Sequence, residues 1–147
     1  DIKKPVISID APFGDFPVVY TDDKTPFYHI TEHLIKEHNC KSFDVLSGPD
    51  DSMLTQMRLD GIFQAFKDYK IDFNRDRVFK GDYWYSGGEK LAKRYISGEL
   101  ELPDAVISLS DHMAVGLVNH LIKNEIEVPE DVKNVMENKK ILVKNLK

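Results

Sequence analysis

Cysteine occurs only once in this chain of 147 residues, at Cys40, so no disulfide can form within it. This usage favours a reducing compartment, and we expect a cytoplasmic protein. A catalytic thiol would need a neighbouring base, which the sequence does not indicate, so Cys40 is interpreted as a structural residue at a helix end. No apolar run is long enough to span a membrane and no signal peptide is recognised, so no membrane partner is expected.

A concentrated basic surface is also missing, because the formal net charge is −5. Binding to DNA requires a positive face that displaces counterions, so this segment is not expected to bind nucleic acid itself. The lysines that do cluster are interpreted as part of a solvated C-terminal tail: Lys139, Lys140, Lys144 and Lys147.

Sequence motifs of common catalytic and cofactor sites are absent, including GxGxxG, the Walker loop and the GxSxG nucleophile turn. His29 and His33 are four residues apart on a predicted helix, but neither the HExxH order nor a second ligand cluster accompanies them. A solvated helix face is therefore the expected setting of these histidines. We expect no metal, no cofactor and no enzymatic activity.

The chain does contain a regular alternation of β-rich runs and helical patterns. The runs start near Pro5, Pro17, Ser42, Arg77 and Ala105, and helical periodicity is expected from Pro26 to His38, from Ser52 to Tyr69, from Ser86, and from Ser110 or Asp111. Thr25 is the expected cap of the first helix, and Ser86 with Glu89 has the spacing of a capping box. This alternation predicts an α/β fold, a three-layer α/β/α sandwich with a mostly parallel sheet.

Short polar residues follow the predicted strands. Ligands of open parallel sheets bind outside the carboxyl ends of the strands, so these residues are candidates to line a site for a sugar or another polyol. The alternative for any one of them is a helix N-cap that satisfies backbone N–H groups. The candidates are Asp10, Asp22, Asp23, Asp50, Asp51, Asp82, Ser110 and Asp111.

Two further features point to the same edge. Arg58 lies one turn into its helix, and its guanidinium could bind vicinal hydroxyls or a carboxylate; the residues alone favour a surface ion pair with Asp50, Asp51 or Asp60. Tyr83, Trp84 and Tyr85 are adjacent aromatic residues just after a predicted strand. They could stack on the apolar face of a sugar or could form a hydrophobic plug over the sheet edge.

Several blocks together match a known pattern in order and spacing. They are Phe43-Asp44-Val45-Leu46-Ser47-Gly48-Pro49, Arg58-Leu59-Asp60-Gly61-Ile62, Gly81-Asp82-Tyr83, Pro103-Asp104-Ala105-Val106-Ile107, Ser110-Asp111-His112-Met113-Ala114-Val115-Gly116 and Val128-Pro129-Glu130-Asp131-Val132. From about Pro5 to Val132 the chain resembles the sensor domain of the LacI–GalR transcriptional regulators.

The resemblance implies a type I periplasmic-binding-protein fold, in which two α/β lobes close on a small-molecule effector such as a sugar. Residues 1–10 would be the last strand of a missing N-terminal lobe, residues 11–132 the C-terminal lobe, and residues 133–147 an atypical Lys-rich tail in place of the usual strand and G-x-D turn. Such regulators form homodimers, and DNA would be bound only through a domain absent from this chain.

The resemblance also implies roles for individual residues. Arg58 would contact the effector, Tyr83 would pack on it, and Ser110 would stand where Asn is usual, with Asp111 after it. With Asp10, Asp22, Asp50 and Trp84 from the strand ends, these are the predicted ligand-binding residues.

Other functions remain open. The sensor could be fused to a signalling output module such as a diguanylate cyclase or an AraC-type regulator, or it could be a solute-binding protein for sugar uptake. A small α/β hydrolase would need a convergent acid–base or metal constellation, and a partner-binding module would work through protein contacts alone.

Overall fold

Strands and helices alternate along the chain, as the sequence predicts. The computed structural model describes residues 4–10, 12–128 and 133–135. The strands are β1 (Ser8–Ile9), β2 (Val18–Val19), β3 (Phe43–Ser47), β4 (Val78–Lys80), β5 (Ala105–Ser108) and β6 (Lys133–Val135). The helices are α1 (Lys24–His38), α2 (Met53–Asp68), α3 (Tyr85–Ile96) and α4 (Asp111–Lys123), and one turn of 3₁₀ helix, Arg75–Arg77, precedes β4.

The main sheet has four parallel strands in the order β4-β3-β5-β6. Phe43 of β3 lies opposite Ala105 of β5, and every residue of these two central strands is buried. A parallel strand covered on both faces needs apolar side chains in both directions. This explains why the sequence of β5 is almost continuously apolar.

Helices cover both faces of this sheet. α1 packs on α2, and α3 packs on α4. α2 connects β3 to β4, which lies at one edge of the sheet. α3 then connects β4 to β5 and α4 connects β5 to β6, so both of these connections run toward the opposite edge. Since parallel crossovers are right-handed, these opposite directions place the two helix pairs on opposite faces. The predicted three-layer α/β/α sandwich is confirmed.

The strand order also determines where a site can form. The connection after β3 leads to one side of the sheet and the connection after β5 leads to the other. The segments that follow these neighbouring strands therefore diverge, which opens a crevice at their carboxyl ends.

β1 and β2 form a separate parallel pair that does not join the main sheet. The Ser8 N–H donates to the Pro17 carbonyl and the Asp10 N–H donates to the Val19 carbonyl, both at 2.9 Å. Both strands are shorter than the runs in the sequence suggested. The assignment of residues 1–10 to a second lobe stays a prediction, and residues 1–3 and 11 lie outside the described part of the chain.

The start of α1 differs from the sequence prediction. The helix begins at Lys24, and the Asp22 carboxylate accepts hydrogen bonds from the backbone N–H groups of Lys24 (3.1 Å) and Thr25 (3.0 Å). The prediction that Thr25 caps this helix is wrong, because the helix extends one residue beyond Thr25 toward the N-terminus and Asp22 supplies the acceptor.

The segment predicted as a tail begins inside the sheet. Lys133–Val135 forms β6, with Lys133 opposite Ala105 of β5. The pairing satisfies backbone groups on that side of β5, so the sheet extends past the predicted boundary at Val132. Residues 129–132 and 136–147, including the lysine cluster at the C-terminus, lie outside the described residues.

A buried polar network connects β3 with α3 and with the 3₁₀ turn before β4. The Asp44 side chain is fully buried, and Arg77 donates to it twice, from Nε to Oδ1 at 2.5 Å and from Nη2 to Oδ2 at 2.8 Å. The Tyr95 hydroxyl also donates to Oδ2. Burial beside this carboxylate raises the pKa of Tyr95, so the phenol stays protonated as a donor.

α1 and α2 are in close backbone contact at Gly61. A Cβ atom at this position would lie 2.2 Å from the carbonyl oxygen of Lys24 in the first turn of α1, so the approach requires glycine. Arg58 lies one turn before Gly61 on α2, and Asp23 directly precedes α1. The absence of a side chain at Gly61 therefore brings the start of α1 beside Arg58.

We predict that Tyr95→Phe lowers the free energy of unfolding by about 1–3 kcal/mol, because it leaves a buried carboxylate without one of its donors. Urea denaturation at neutral pH measures this change. Tyr28→Phe is the matched control, since the Tyr28 hydroxyl bonds Asp68 at the surface at 3.1 Å, and its cost should stay below about 0.5 kcal/mol. Equal effects of the two substitutions would contradict the proposed importance of the network.

We predict that Gly61→Ala also destabilises the fold, by about 1–3 kcal/mol, because the added methyl group must displace the first turn of α1. The same urea titration applies, with Asp60→Ala as the control at an exposed neighbouring position. An alanine at position 61 that leaves stability unchanged would show that α1 and α2 do not approach as described.

Candidate functional site

A pocket of about 460 Å³ opens at the carboxyl ends of the central strands. Its walls come from the start of α2, from the loop between β4 and α3, and from the start of α4, so both helix layers contribute. The lining residues are Leu54, Arg58, Asp82, Tyr83, Trp84, Ser110, Asp111 and His112.

Arg58 is held from two directions. Its Nε and Nη2 contact Oδ1 of Asp23 at 2.8 and 2.6 Å, and its Nη1 donates to the carbonyl of Leu109, directly after β5, at 2.6 Å. The side chains of Arg58 and Asp23 are only 12% and 5% exposed. The residues alone favoured a surface ion pair with Asp50, Asp51 or Asp60; instead the structure shows Arg58 in a largely buried pair with Asp23, which the close approach at Gly61 makes possible.

Aromatic rings flank the guanidinium. The Cζ atom of Arg58 lies 5.4 Å from the ring centroid of Phe27 in α1 and 6.0 Å from that of Tyr83. A guanidinium at this distance from an aromatic face is attracted to it, so both rings help to orient the side chain.

Tyr83 is itself fixed in an unusual conformation. Its φ angle is +65°, in the left-handed region that costs energy for a side chain other than glycine. Its carbonyl accepts a hydrogen bond from Oγ of Ser110 at 2.9 Å, and its hydroxyl bonds Oγ1 of Thr55. Its ring fills the space beside Gly48, where a Cβ atom would lie 2.2 Å from the ring. Gly48 after β3 and Thr55 of α2 thus hold the Tyr83 ring in the pocket wall, and Ser110 before α4 holds its backbone.

The outer rim is formed by Trp84 and His112, whose ring centroids are 5.8 Å apart. Trp84 is 66% exposed, which leaves most of its indole surface accessible to a bound molecule. Asp82 anchors this loop, because its carboxylate accepts from the Ser86 hydroxyl at 2.6 Å and from the Trp84 N–H at 2.9 Å. These hydrogen bonds, that from Ser86 above all, hold the pKa of Asp82 below its ordinary value, so the group is anionic at neutral pH.

Five of the predicted ligand-binding residues come together in this pocket, and three do not. Arg58, Tyr83, Trp84, Ser110 and Asp111 line it. The three others have local partners: Asp10 accepts from Thr21 at the end of β2, Asp22 caps α1, and Asp50 pairs with Lys80. Asp10 follows a strand outside the main sheet, which explains its separation from the crevice.

The sequence does not predict that Asp23 orients Arg58. Asp22 and Asp23 are adjacent carboxylates after the same predicted strand, and no local pattern indicates which one faces α2. His112 and Leu54 were also missed as lining residues; His112 could have been found because it directly follows Ser110 and Asp111. Ser110 uses its hydroxyl on the Tyr83 carbonyl, so the structure assigns it to positioning the loop.

No metal centre is evident among the residues that the structure describes, since no group of three or more potential metal-ligating side chains is assembled there. His29, one of the histidines considered above, pairs with Glu32 at 3.2 Å on the exposed side of α1. Within residues 4–10, 12–128 and 133–135, no helix is long and apolar enough to cross a membrane.

Comparison with known proteins agrees with this architecture. The MalR transcriptional regulator of Streptococcus pneumoniae is 30% identical over 120 residues, which cover 81% of this chain and 35% of MalR. The structure of the regulator CcpA from Lactococcus lactis superposes with a TM-score of 0.75 at 27% identity, over 90% of this chain and 48% of that one. A LacI-family regulator from Enterococcus faecium, solved with bound ribose, matches with a TM-score of 0.76 at 22% identity, over 88% and 48% of the two chains.

The chain thus spans about a third of the length of the curated relatives it matches. The model of the family described as periplasmic binding proteins and sugar binding domain of LacI family matches residues 3–147, and this chain therefore belongs to that family.

Proposed function

We propose that this chain is a large part of the effector-sensing domain of a LacI-type transcriptional regulator, mainly its C-terminal lobe, and that the pocket around Arg58 binds a sugar or a related polyol. The observation that carries the proposal is the position of Arg58, fixed by Asp23 and by the Leu109 carbonyl at the switch point of the sheet. Ligands of open α/β sheets bind at this point.

The chemistry of the pocket supports a polyhydroxy ligand. A guanidinium that is already oriented can donate to adjacent hydroxyl oxygens with little loss of side-chain freedom. The exposed face of Trp84 and the ring of Tyr83 offer apolar surfaces for the C–H face of a sugar ring. The ribose bound in the regulator from Enterococcus faecium supports the same ligand class.

Binding of this kind performs no chemical reaction, and the protein would act as a sensor rather than as an enzyme. An effector between two lobes shifts the balance from open to closed states by its difference in affinity for them, typically about 1–3 kcal/mol. In the complete regulator, which we propose to be a cytoplasmic homodimer, a DNA-binding domain outside this chain would respond to that shift.

The sole tryptophan of the chain gives a direct test, because Trp84 lies at the rim of the pocket. We expect titration with ribose and a panel of uncharged hexoses and disaccharides to produce a saturable change in Trp84 fluorescence with at least one sugar. One lobe encloses only part of a ligand, so half-saturation should lie on the order of millimolar.

Arg58→Ala should raise the half-saturating concentration by at least about 30-fold, since removal of a hydrogen-bonded, largely buried charge costs roughly 2–5 kcal/mol of binding. Arg94→Ala is the matched control, because Arg94 pairs with Glu99 near the far end of α3. Equal affinities of the wild type and Arg58→Ala would remove Arg58 from the site, and no response to any sugar would contradict sugar binding by this lobe.

A further inference from the structure

The charge of Arg58 is compensated within the protein itself. Nε and Nη2 of Arg58 both contact Oδ1 of Asp23, and the Asp23 side chain is 5% exposed. The other oxygen of Asp23 accepts from the Thr21 hydroxyl at 2.9 Å, so the carboxylate is fixed between the segment that follows β2 and Arg58 of α2. Arg58 thus faces the pocket as a hydrogen-bond donor whose positive charge is largely balanced.

The remaining charges around the pocket are mostly negative. Among the described residues that line it, Arg58 is the only permanent cation, whereas Asp82 and Asp111 are carboxylates. The lowered pKa of Asp82 keeps that group ionised at neutral pH. An anionic ligand would therefore lose hydration without meeting an uncompensated positive charge.

We infer that Asp23 is a specificity-determining residue: by pairing with Arg58 it makes the pocket select uncharged polyhydroxy ligands and exclude phosphorylated or carboxylated ones. The inference rests on the proposed function of the pocket as a binding site. Asp23 does not line the pocket, so it acts through Arg58 and through the electrostatic potential, not by touching the ligand.

The geometry makes Asp23→Asn a suitable test. The amide oxygen can still accept from Arg58 Nε, so the substitution removes the negative charge while retaining a hydrogen-bond acceptor. Arg58 then keeps its place but loses the negative charge of its Asp23 partner, so the potential at the guanidinium becomes more positive and an anion is bound more tightly than in the wild type.

The probe is inorganic phosphate, and binding is measured by Trp84 fluorescence and by the NMR shift of its indole N–H, with sodium chloride keeping the ionic strength constant. We expect Asp23→Asn to bind phosphate at least about tenfold more tightly than the wild type. Asp22→Asn is the matched control: it removes the same charge one residue away, keeps a capping acceptor for α1, and should not change phosphate affinity. In Asp23→Asn/Arg58→Gln the gain should disappear.

A gain that is confined to Asp23→Asn and depends on Arg58 supports the inference. The inference is overturned if Asp23→Asn does not bind phosphate more tightly, or if Asp22→Asn gains the same affinity. It is also overturned if the gain in phosphate affinity persists when Arg58→Gln is added, or if the wild type already binds phosphate at sub-millimolar concentration. If circular dichroism shows that Asp23→Asn is unfolded, Asp23→Ser carries the same expectation. Phosphate affinity is measured without any sugar present. A failure of Asp23→Asn to gain phosphate affinity is therefore distinguishable from a failure of the sugar titration.

Discussion

The bridge from Arg58 to Asp23 and to the Leu109 carbonyl is the interaction on which the pocket depends. It connects α2, the segment before α1 and the end of β5, three parts of the chain that are far apart in sequence. Removal of two charges from water is expensive, so such a pair is stable only when its geometry is good and further hydrogen bonds are made. Gly61 supplies that geometry by letting α1 approach α2, and Leu109 supplies the additional acceptor.

The pocket also joins the two helix layers. Arg58 and Thr55 come from α2 on one face of the sheet, whereas Tyr83, Trp84 and Ser110 belong to the segments that enter α3 and α4 on the other. The strained backbone of Tyr83 persists because its carbonyl, hydroxyl and ring each have a partner. A ligand seated between Arg58 and these rings would contact both layers, which is compatible with the proposed role of the pocket as an effector site.

Most of the fold could be predicted from the sequence, because apolar periodicity is a local signal and the covered strand Ala105–Ser108 is distinctive. The strand-end rule also placed Asp82, Ser110 and Asp111 at one edge, and Arg58 and Tyr83 were expected beside them from their positions on a helix and after a strand. It was less informative for Asp10 and Asp22, because β1 and β2 form a separate pair and not strands of the main sheet. The pairing of Arg58 with Asp23 and the buried network around Asp44 join residues that are far apart in the sequence. Local sequence patterns do not predict such contacts. The sequence of β3 predicts a strand but gives no partner for its carboxylate.

A double-mutant cycle between Asp23 and Arg58 tests the central claim most directly. The unfolding free energies of the wild type, Asp23→Ala, Arg58→Ala and the double variant, measured by urea denaturation, give the coupling between the two side chains. A largely buried pair with good geometry predicts a coupling of roughly 2 kcal/mol. A value below about 0.5 kcal/mol, typical of an exposed ion pair, would contradict the claim that Asp23 holds Arg58 in the pocket.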